Sequence, residues 1–364
     1  MSERYQHLRA VARAAGVQSL ALVPGANFSR LFNAEFHQNE RPLVVVIPVE
    51  GLPMAIVPNL ELASFEQLGF EGEVYDWKDQ NGYQSAFDAL MQSSALESIG
   101  VEGQVMRVFV DQAFRKASSS VHVVDLQQEI SALRITKTDA EVSAISKAVK
   151  ISEQALQNTI DNIRIGMTER QIENMLVQEL FASGAQDFAF SPIVAAGSNS
   201  AQPHAHSREG YQLCAGDALL IDFGARVDGV CADITRTFFV RHCTDRQAAM
   251  YATVLEANLA AHKASKPGAS AHQVDDAATA VLELSDYADF IRHKTGHGLG
   301  RDIHEDPYIM RGNHQPLEAG MVFTIEPGLY DSEELGIRIE DDVLITDSGS
   351  RSLTSFDKSL TLIG

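Results

Sequence analysis

The spacing of apolar positions changes character near residue 130. Before that point, short apolar runs alternate with helical periodicity. Ser2–Ala15 reads as a helix, Leu43-Val44-Val45-Val46-Ile47 as a buried strand, and Arg107-Val108-Phe109-Val110 as another strand. These predict an α/β domain over residues 1–132. From Thr138 the texture turns to long helices. Thr138-x-x-Glu141 is a capping box that opens an apolar pattern through Val142, Ile145 and Val149. The same signal returns at Thr168-x-x-Gln171, with Gly184 as a stop, then at Thr244-x-x-Gln247 and Ser270-x-x-Gln273. Apolar strand runs follow each pair of helix starts. The pattern predicts helix, helix, strand, strand, written twice over residues 133–364.

The repeat also carries chemistry. Ala215-Gly216 leads to Ile221-Asp222 and then Asp233; Ala319-Gly320 leads to Ile325-Glu326 and then Glu340. In both, a glycine precedes by six residues an acid that follows isoleucine. Upstream, Gly166-Met167-Thr168 through Ile172 matches Gly268-Ala269-Ser270 through Val274. Asp228-Gly229 between apolar runs predicts a two-residue hairpin turn. That turn places Asp222 opposite Thr235 and projects Asp222 and Asp233 from one face, within reach of a shared ion. Asp222 and Glu326 each lie in an apolar run, where a lone carboxylate is costly to bury. Arg226, Arg236 and Arg338 are possible neutralising partners, but four acids at matched repeat positions point instead to bound cations.

Between the acid pairs lies His293-Lys294-Thr295-Gly296-His297-Gly298-Leu299-Gly300. Its glycines argue against a helix, and hence against a zincin pair, and do not make a dinucleotide fingerprint. His297 is the best candidate for a nitrogen ligand, with His293 and His304 flanking the reacting group. Four carboxylates need two divalent cations for neutrality, and crowded together without metal they repel and force protonation. Oxygen-rich ligation with one imidazole suits Mn, Co, Fe or Zn, in a centre built for metal-assisted hydrolysis.

Composition narrows the picture. The 364 residues exceed the size at which one core stops growing, so two domains are expected. A formal net charge of -20 argues against nucleic acid as a partner. The three cysteines form no disulfide framework and no thiolate metal site, and buried structural roles are expected for Cys214 and Cys231. The N-terminus lacks a signal-peptide apolar run and no stretch has the length of a membrane span, so a cytoplasmic chain with no membrane partner is expected.

Ile221-Asp222-Phe223-Gly224 with Asp233, Thr295 through Gly300 with His304-Glu305-Asp306-Pro307, Phe323 through Tyr330, and Gly336 through Thr346 resemble the prolidase and aminopeptidase P family of metallopeptidases, M24. The resemblance covers about residues 138–364. It implies a two-domain α/β protein: a pita-bread α+β catalytic domain with an internal pseudo-twofold repeat, behind a creatinase/prolidase-type N-terminal domain. Pro24-Gly25-Ala26-Asn27 is similar to a segment of that N-terminal domain. The metal ligands it implies are Asp222, Asp233, His297, Glu326 and Glu340. They would hold two divalent ions, with Mn expected and Co or Zn as alternatives. His204, at the end of Asn199-Ser200-Ala201-Gln202-Pro203-His204, would contact substrate near the scissile bond, ahead of its neighbour His206. His293 and His304 would hold substrate and stabilise the tetrahedral intermediate, while Glu326 manages a proton. Arg338 would orient carboxylates and Tyr330 would line the site.

One position departs from the family pattern. Many dipeptidase members carry, directly after the HExP segment, an Arg that binds the C-terminal carboxylate of a dipeptide. Here that place is Tyr308, and Arg311 is the expected substitute, with Tyr308 and His204 as further donors. Creatinase shares the fold but lacks the metal ligands, whereas all five are kept here, which favours an active enzyme. The expectation is hydrolysis of the Xaa-Pro bond in dipeptides by a homodimer. The alternatives are an aminopeptidase P acting on longer Xaa-Pro-Yaa peptides, a non-catalytic binding module, or a non-peptide hydrolase.

Overall fold

The structure, a computed structural model, describes residues 3–364. The chain divides into two compact units, Met1–Arg134 and Ile135–Gly364.

The first unit is built on a six-stranded sheet in the order Glu73–Trp77, Met54–Pro58, Val44–Pro48, Ser19–Leu22, Ser98–Val101, His122–Asp125. Alternate residues of the central strand serve two cores. Val44 and Val46 pack with Phe87, Leu90 and Phe114, while Val45 and Ile47 pack with Leu8, Phe28 and Phe65. Helices cover both faces, which is why this strand reads as an unbroken apolar run. The N-terminal helix begins as a 3-10 turn, Glu3–Tyr5, and continues as Gln6–Ala15; Ser2 lies outside the described residues. The expected strand at Arg107–Val110 is instead the start of a helix, Val108–Ala117, with Arg107 as its N-cap. Val110, Ala113 and Phe114 are buried at helical spacing, so the continuation decides a period that three apolar residues alone leave open.

The second unit contains all four capping boxes. They open the helices Asp139–Asn162, Glu169–Ala182, Asp245–Ala264 and Ala271–Glu283, each with both reciprocal bonds in place. The repeat extends to single backbone bonds. Gly166 N–H donates to Leu213 O and Leu213 N–H to Met167 O; Gly268 N–H donates to Leu317 O and Leu317 N–H to Ala269 O. Gly216 and Gly320 share left-handed torsions, with φ of 90° and 88°. One sheet contains Ile193–Ala196, Ala218–Phe223, Ile234–Val240 and Leu362–Ile363. The other contains Glu305–Ile309, Gly296–Gly298, Val322–Ile325, Asp341–Thr346 and Gly349–Ser352. Two cores fill the unit, one around Ile145, Leu176 and Phe223, the other around Met250, Val274 and Phe323, and each also takes strand residues from the opposite half, Val322 and Leu344 in the one, Ala218 and Phe239 in the other. Among the described residues, no helix is long and apolar enough to cross a membrane.

Candidate metal centre and substrate cavity

Each half places its two acids at the ends of a short hairpin. Asp222 lies in Ala218–Phe223 opposite Thr235, and Asp233 immediately precedes Ile234–Val240. The turn between them is the expected two-residue one: Val227 pairs with Val230, and Asp228 and Gly229 both have positive φ. In the second half Glu326 follows Val322–Ile325, the hairpin Gly328–Asp331 with Leu335–Arg338 intervenes, and Glu340 precedes Asp341–Thr346. The two sheets meet where the Glu340 N–H donates to Thr235 O at 3.1 Å. His297 enters on the strand Gly296–Gly298, whose glycines permit a close approach. A Cβ on Gly296 would lie 1.9 Å from Thr324 O, and one on Gly298 2.3 Å from Asp306 O.

All four acids and His297 line one cavity of about 570 Å³. Ligand atoms of Asp233, His297 and Glu340 lie within 4.8 Å of one another. His297 Nε2 is 3.3 Å from Glu326 Oε1 and 3.7 Å from Asp233 Oδ2. Its Nδ1 lies 3.1 Å from Gly298 O. A carbonyl can only accept, so Nδ1 carries the proton and Nε2 presents its lone pair to the acids. Burial, then the charge of His304, lowers the His297 pKa to about 3, keeping the ring neutral.

The acids are under mutual strain. Burial, then Glu340 and Asp222, pushes Asp233 well above the usual carboxylate range. Burial, then Glu326 and Asp222, does the same to Glu340. Burial, opposed by Arg338 and reinforced by Asp222, takes Glu326 up to about 7. Asp222 Oδ1 and Asp233 Oδ1 are buried with no hydrogen-bond partner among the described residues. A buried carboxylate oxygen without a donor is unfavourable unless a cation meets it. The donor set therefore fits divalent ions: hard oxygens from four carboxyl groups and one neutral imidazole lining one cavity.

Residues 143–347 match metallopeptidase family M24, and residues 4–136 match the creatinase/prolidase N-terminal domain. The chain belongs to family M24. It is similar to the Xaa-Pro dipeptidase of Pyrococcus furiosus, 36% identical over 264 residues that cover 72% of this chain and 75% of that one. Among solved structures, a recombinant prolidase from Thermococcus sibiricus aligns over 100% of both chains, at 33% identity and a TM-score of 0.94. An X-Pro aminopeptidase from Thermotoga maritima, 28% identical, aligns over 97% of this chain and 100% of its own, with a TM-score of 0.82.

In this M24 peptidase Arg338 links several polar groups around the candidate metal site. It donates to Asp222 Oδ2, to Thr235 Oγ1 at 3.1 Å and to Tyr330 OH at 2.6 Å; Thr235 Oγ1 in turn donates to Glu340 Oε2. Arg236 instead pairs with Asp341 at 2.8 Å. Tyr330 is buried behind the cavity and lies 2.7 Å from His293 Nε2. His293 Nδ1 lies 2.7 Å from the Lys294 carbonyl, so this nitrogen carries the proton and Nε2 accepts from Tyr330. Both ring nitrogens of His293 are thus committed within the protein. By contrast, His204 and His304 are exposed in the cavity, and among the described residues their ring nitrogens have no hydrogen-bond partner.

Two expected substrate contacts fall elsewhere. Arg311 is not brought to the cavity. Its guanidinium forms ion pairs with Glu283 at 2.6 Å and Asp276 at 3.0 Å, both on the helix Ala271–Glu283. Adjacency to the HExP segment does not fix side-chain direction, and two acids on that helix draw the arginine away. Tyr308 instead lies under a lysine, with Lys294 Nζ 5.3 Å from its ring centroid. Cys231 is buried as expected, but Cys214 is exposed.

Two positioning residues escaped the sequence reading. Asn258, fully buried on Asp245–Ala264, donates at 3.2 Å to Ile325 O and also at 3.2 Å to Ile339 O, the carbonyls just before Glu326 and Glu340. A lone amide on a helix face with Val254, Ala257 and Ala261 was the available signal. Glu169 accepts from Ala196 N–H, Asn199 Nδ2 and Arg208, tying down both ends of the loop that carries His204. An acid just after a helix N-cap is common, so its position alone gives no signal of this role.

Proposed function

We propose that this M24 peptidase hydrolyses the Xaa-Pro bond of dipeptides, with two divalent ions held by Asp222, Asp233, His297, Glu326 and Glu340. The observation that carries the metal assignment is the pair of donorless oxygens, Asp222 Oδ1 and Asp233 Oδ1, in the same cavity as the His297 Nε2 lone pair. When bound, the ions supply Lewis acidity and a water made acidic near neutral pH. Glu326, which lines the cavity 3.3 Å from His297 Nε2, is the acid assigned to carry a proton from water to the leaving nitrogen. His304, exposed beside His297 with ring centroids 4.2 Å apart, suits donation to the oxygen that gains charge. His204 faces the substrate from the opposite half. Phe190, Pro192, Ile193 and Ile303 give the cavity an apolar wall suited to a prolyl ring. The imide nitrogen of Xaa-Pro carries no N–H, so recognition by shape replaces recognition by hydrogen bond.

The dipeptide preference rests on the likeness to the Xaa-Pro dipeptidase and the prolidase. The test is a panel of Xaa-Pro and Xaa-Pro-Yaa peptides after reconstitution with Mn, Co or Zn. Fastest turnover of Xaa-Pro is expected. Faster cleavage of Xaa-Pro-Yaa would move the chain to the aminopeptidase branch, and absence of both hydrolysis and bound metal would leave a binding module.

A further inference from the structure

The cavity contains a cation that the proposed metal site does not use. Lys294 follows His293 and lines the cavity with it. Two other cations there are already paired, Arg170 with Glu173 at 2.8 Å and Arg338 with Asp222. Among the described residues the Lys294 ammonium has no acid within ion-pair distance and no hydrogen-bond acceptor. What it has is the ring of Tyr308, 5.3 Å from Nζ. A ring face attracts a cation through its quadrupole and fixes its position, yet leaves its charge intact. The ammonium is thus held off the acids of its own cavity and remains able to take an incoming anion. Among the described residues, Lys294 is the cation of this cavity that no acid pairs with directly.

We propose that Lys294, seated on Tyr308, receives a carboxylate of the substrate and so selects peptides that carry an anion beside the scissile bond. This rests on the peptidase reading and sharpens its substrate class. Arg311 is unsuited to the task, since Glu283 and Asp276 already hold it outside the cavity. An Xaa-Pro dipeptide offers two sources of the carboxylate, its C-terminus and an acidic Xaa side chain. A lysine suits either, as a compact point charge on a flexible stem.

The experiment uses the full chain reconstituted with Mn and compares Ala-Pro, Ala-Pro amide and Glu-Pro, with metal content measured for each variant. Lys294→Met is expected to raise KM for Ala-Pro on the order of 10- to 100-fold, the loss typical of a charged hydrogen bond. Ala-Pro amide should be unaffected, and Lys294→Arg should keep most of the Ala-Pro affinity. A loss confined to Glu-Pro would still support carboxylate capture and assign it to the Xaa side chain. Equal losses on all three substrates, or no loss on any, would overturn the proposal. If the unmodified enzyme cleaves no Xaa-Pro peptide, the peptidase reading itself falls. Normal cleavage that ignores Lys294→Met removes only the lysine.

Discussion

Asp233 has one carboxylate oxygen without a donor and four other acids, Glu340, Asp222, Asp342 and Glu326, among the causes that raise its pKa, so its ionised form needs a cation. Asp233→Asn keeps the shape and removes the charge. The variant is expected to fold with an unchanged circular dichroism spectrum, to bind fewer than two metal equivalents, and to lose activity by about two orders of magnitude or more. Near-normal turnover with two bound ions would remove Asp233 from the ligand set. At this scale the sequence was informative wherever an acid interrupted an apolar run, because burial without a partner is unfavourable whatever the fold. It was silent on direction. Arg311 sits at a suggestive spacing, yet the acids of a neighbouring helix claim it, and Lys294 was passed over as part of a glycine-rich segment although it reaches the cavity.

Among the elements, the helix Asp245–Ala264 does more than cover the second sheet. Through Asn258 it fixes the two carbonyls that precede Glu326 and Glu340, and Asn258 Oδ1 accepts from Lys358 at 2.8 Å. Asn258→Leu keeps similar volume and leaves these groups without their partner, at a cost of about 1–3 kcal/mol in stability. If the helix sets the spacing of the glutamates, metal dissociation constants read by calorimetry should also rise by roughly 10- to 100-fold. A lower melting temperature with unchanged metal affinity would make the amide purely structural. The four capping boxes made the helices legible because each is a local bargain between neighbouring residues. Arg107–Val110 was misread because a short apolar run satisfies both periods, and only Ala113 and Phe114 further along reveal which one is used.

For the whole molecule, the proposed ligand set means that proton and metal should compete for the same acids. Burial, with Asp222 reinforcing it and Arg338 opposing, raises Glu326 from 4.5 to about 7 in the folded, metal-free protein. A raised carboxyl pKa means that protonation favours the folded state. That contribution is full below the unfolded pKa and is lost as pH rises through the folded one. The metal-free protein should therefore melt at a higher temperature near about pH 5 than near about pH 8. Divalent ions should remove or reverse this trend, adding about 2.7 kcal/mol at roughly one hundred times Kd. Identical pH profiles with and without metal would show that these acids do not hold the ions. The doubled architecture was readable in outline, since glycines, capping boxes and acids recur in step. The side-chain network linking Arg338, Tyr330 and His293 was not, because its members come together only once the hairpin has folded.

The backbone of the catalytic unit nearly repeats itself in the same order, but its chemistry does not. Ala196 pairs with Leu219 as Gly298 pairs with Phe323, so Ala195 stands in the first half where His297 stands in the second. Alanine offers a metal nothing. A site with true twofold symmetry would accept a peptide equally well head first or tail first. By giving the imidazoles of His297 and His304 and the ammonium of Lys294 to one half alone, the chain turns a symmetric cradle into a polar one, and a peptide lying across it has a front and a back.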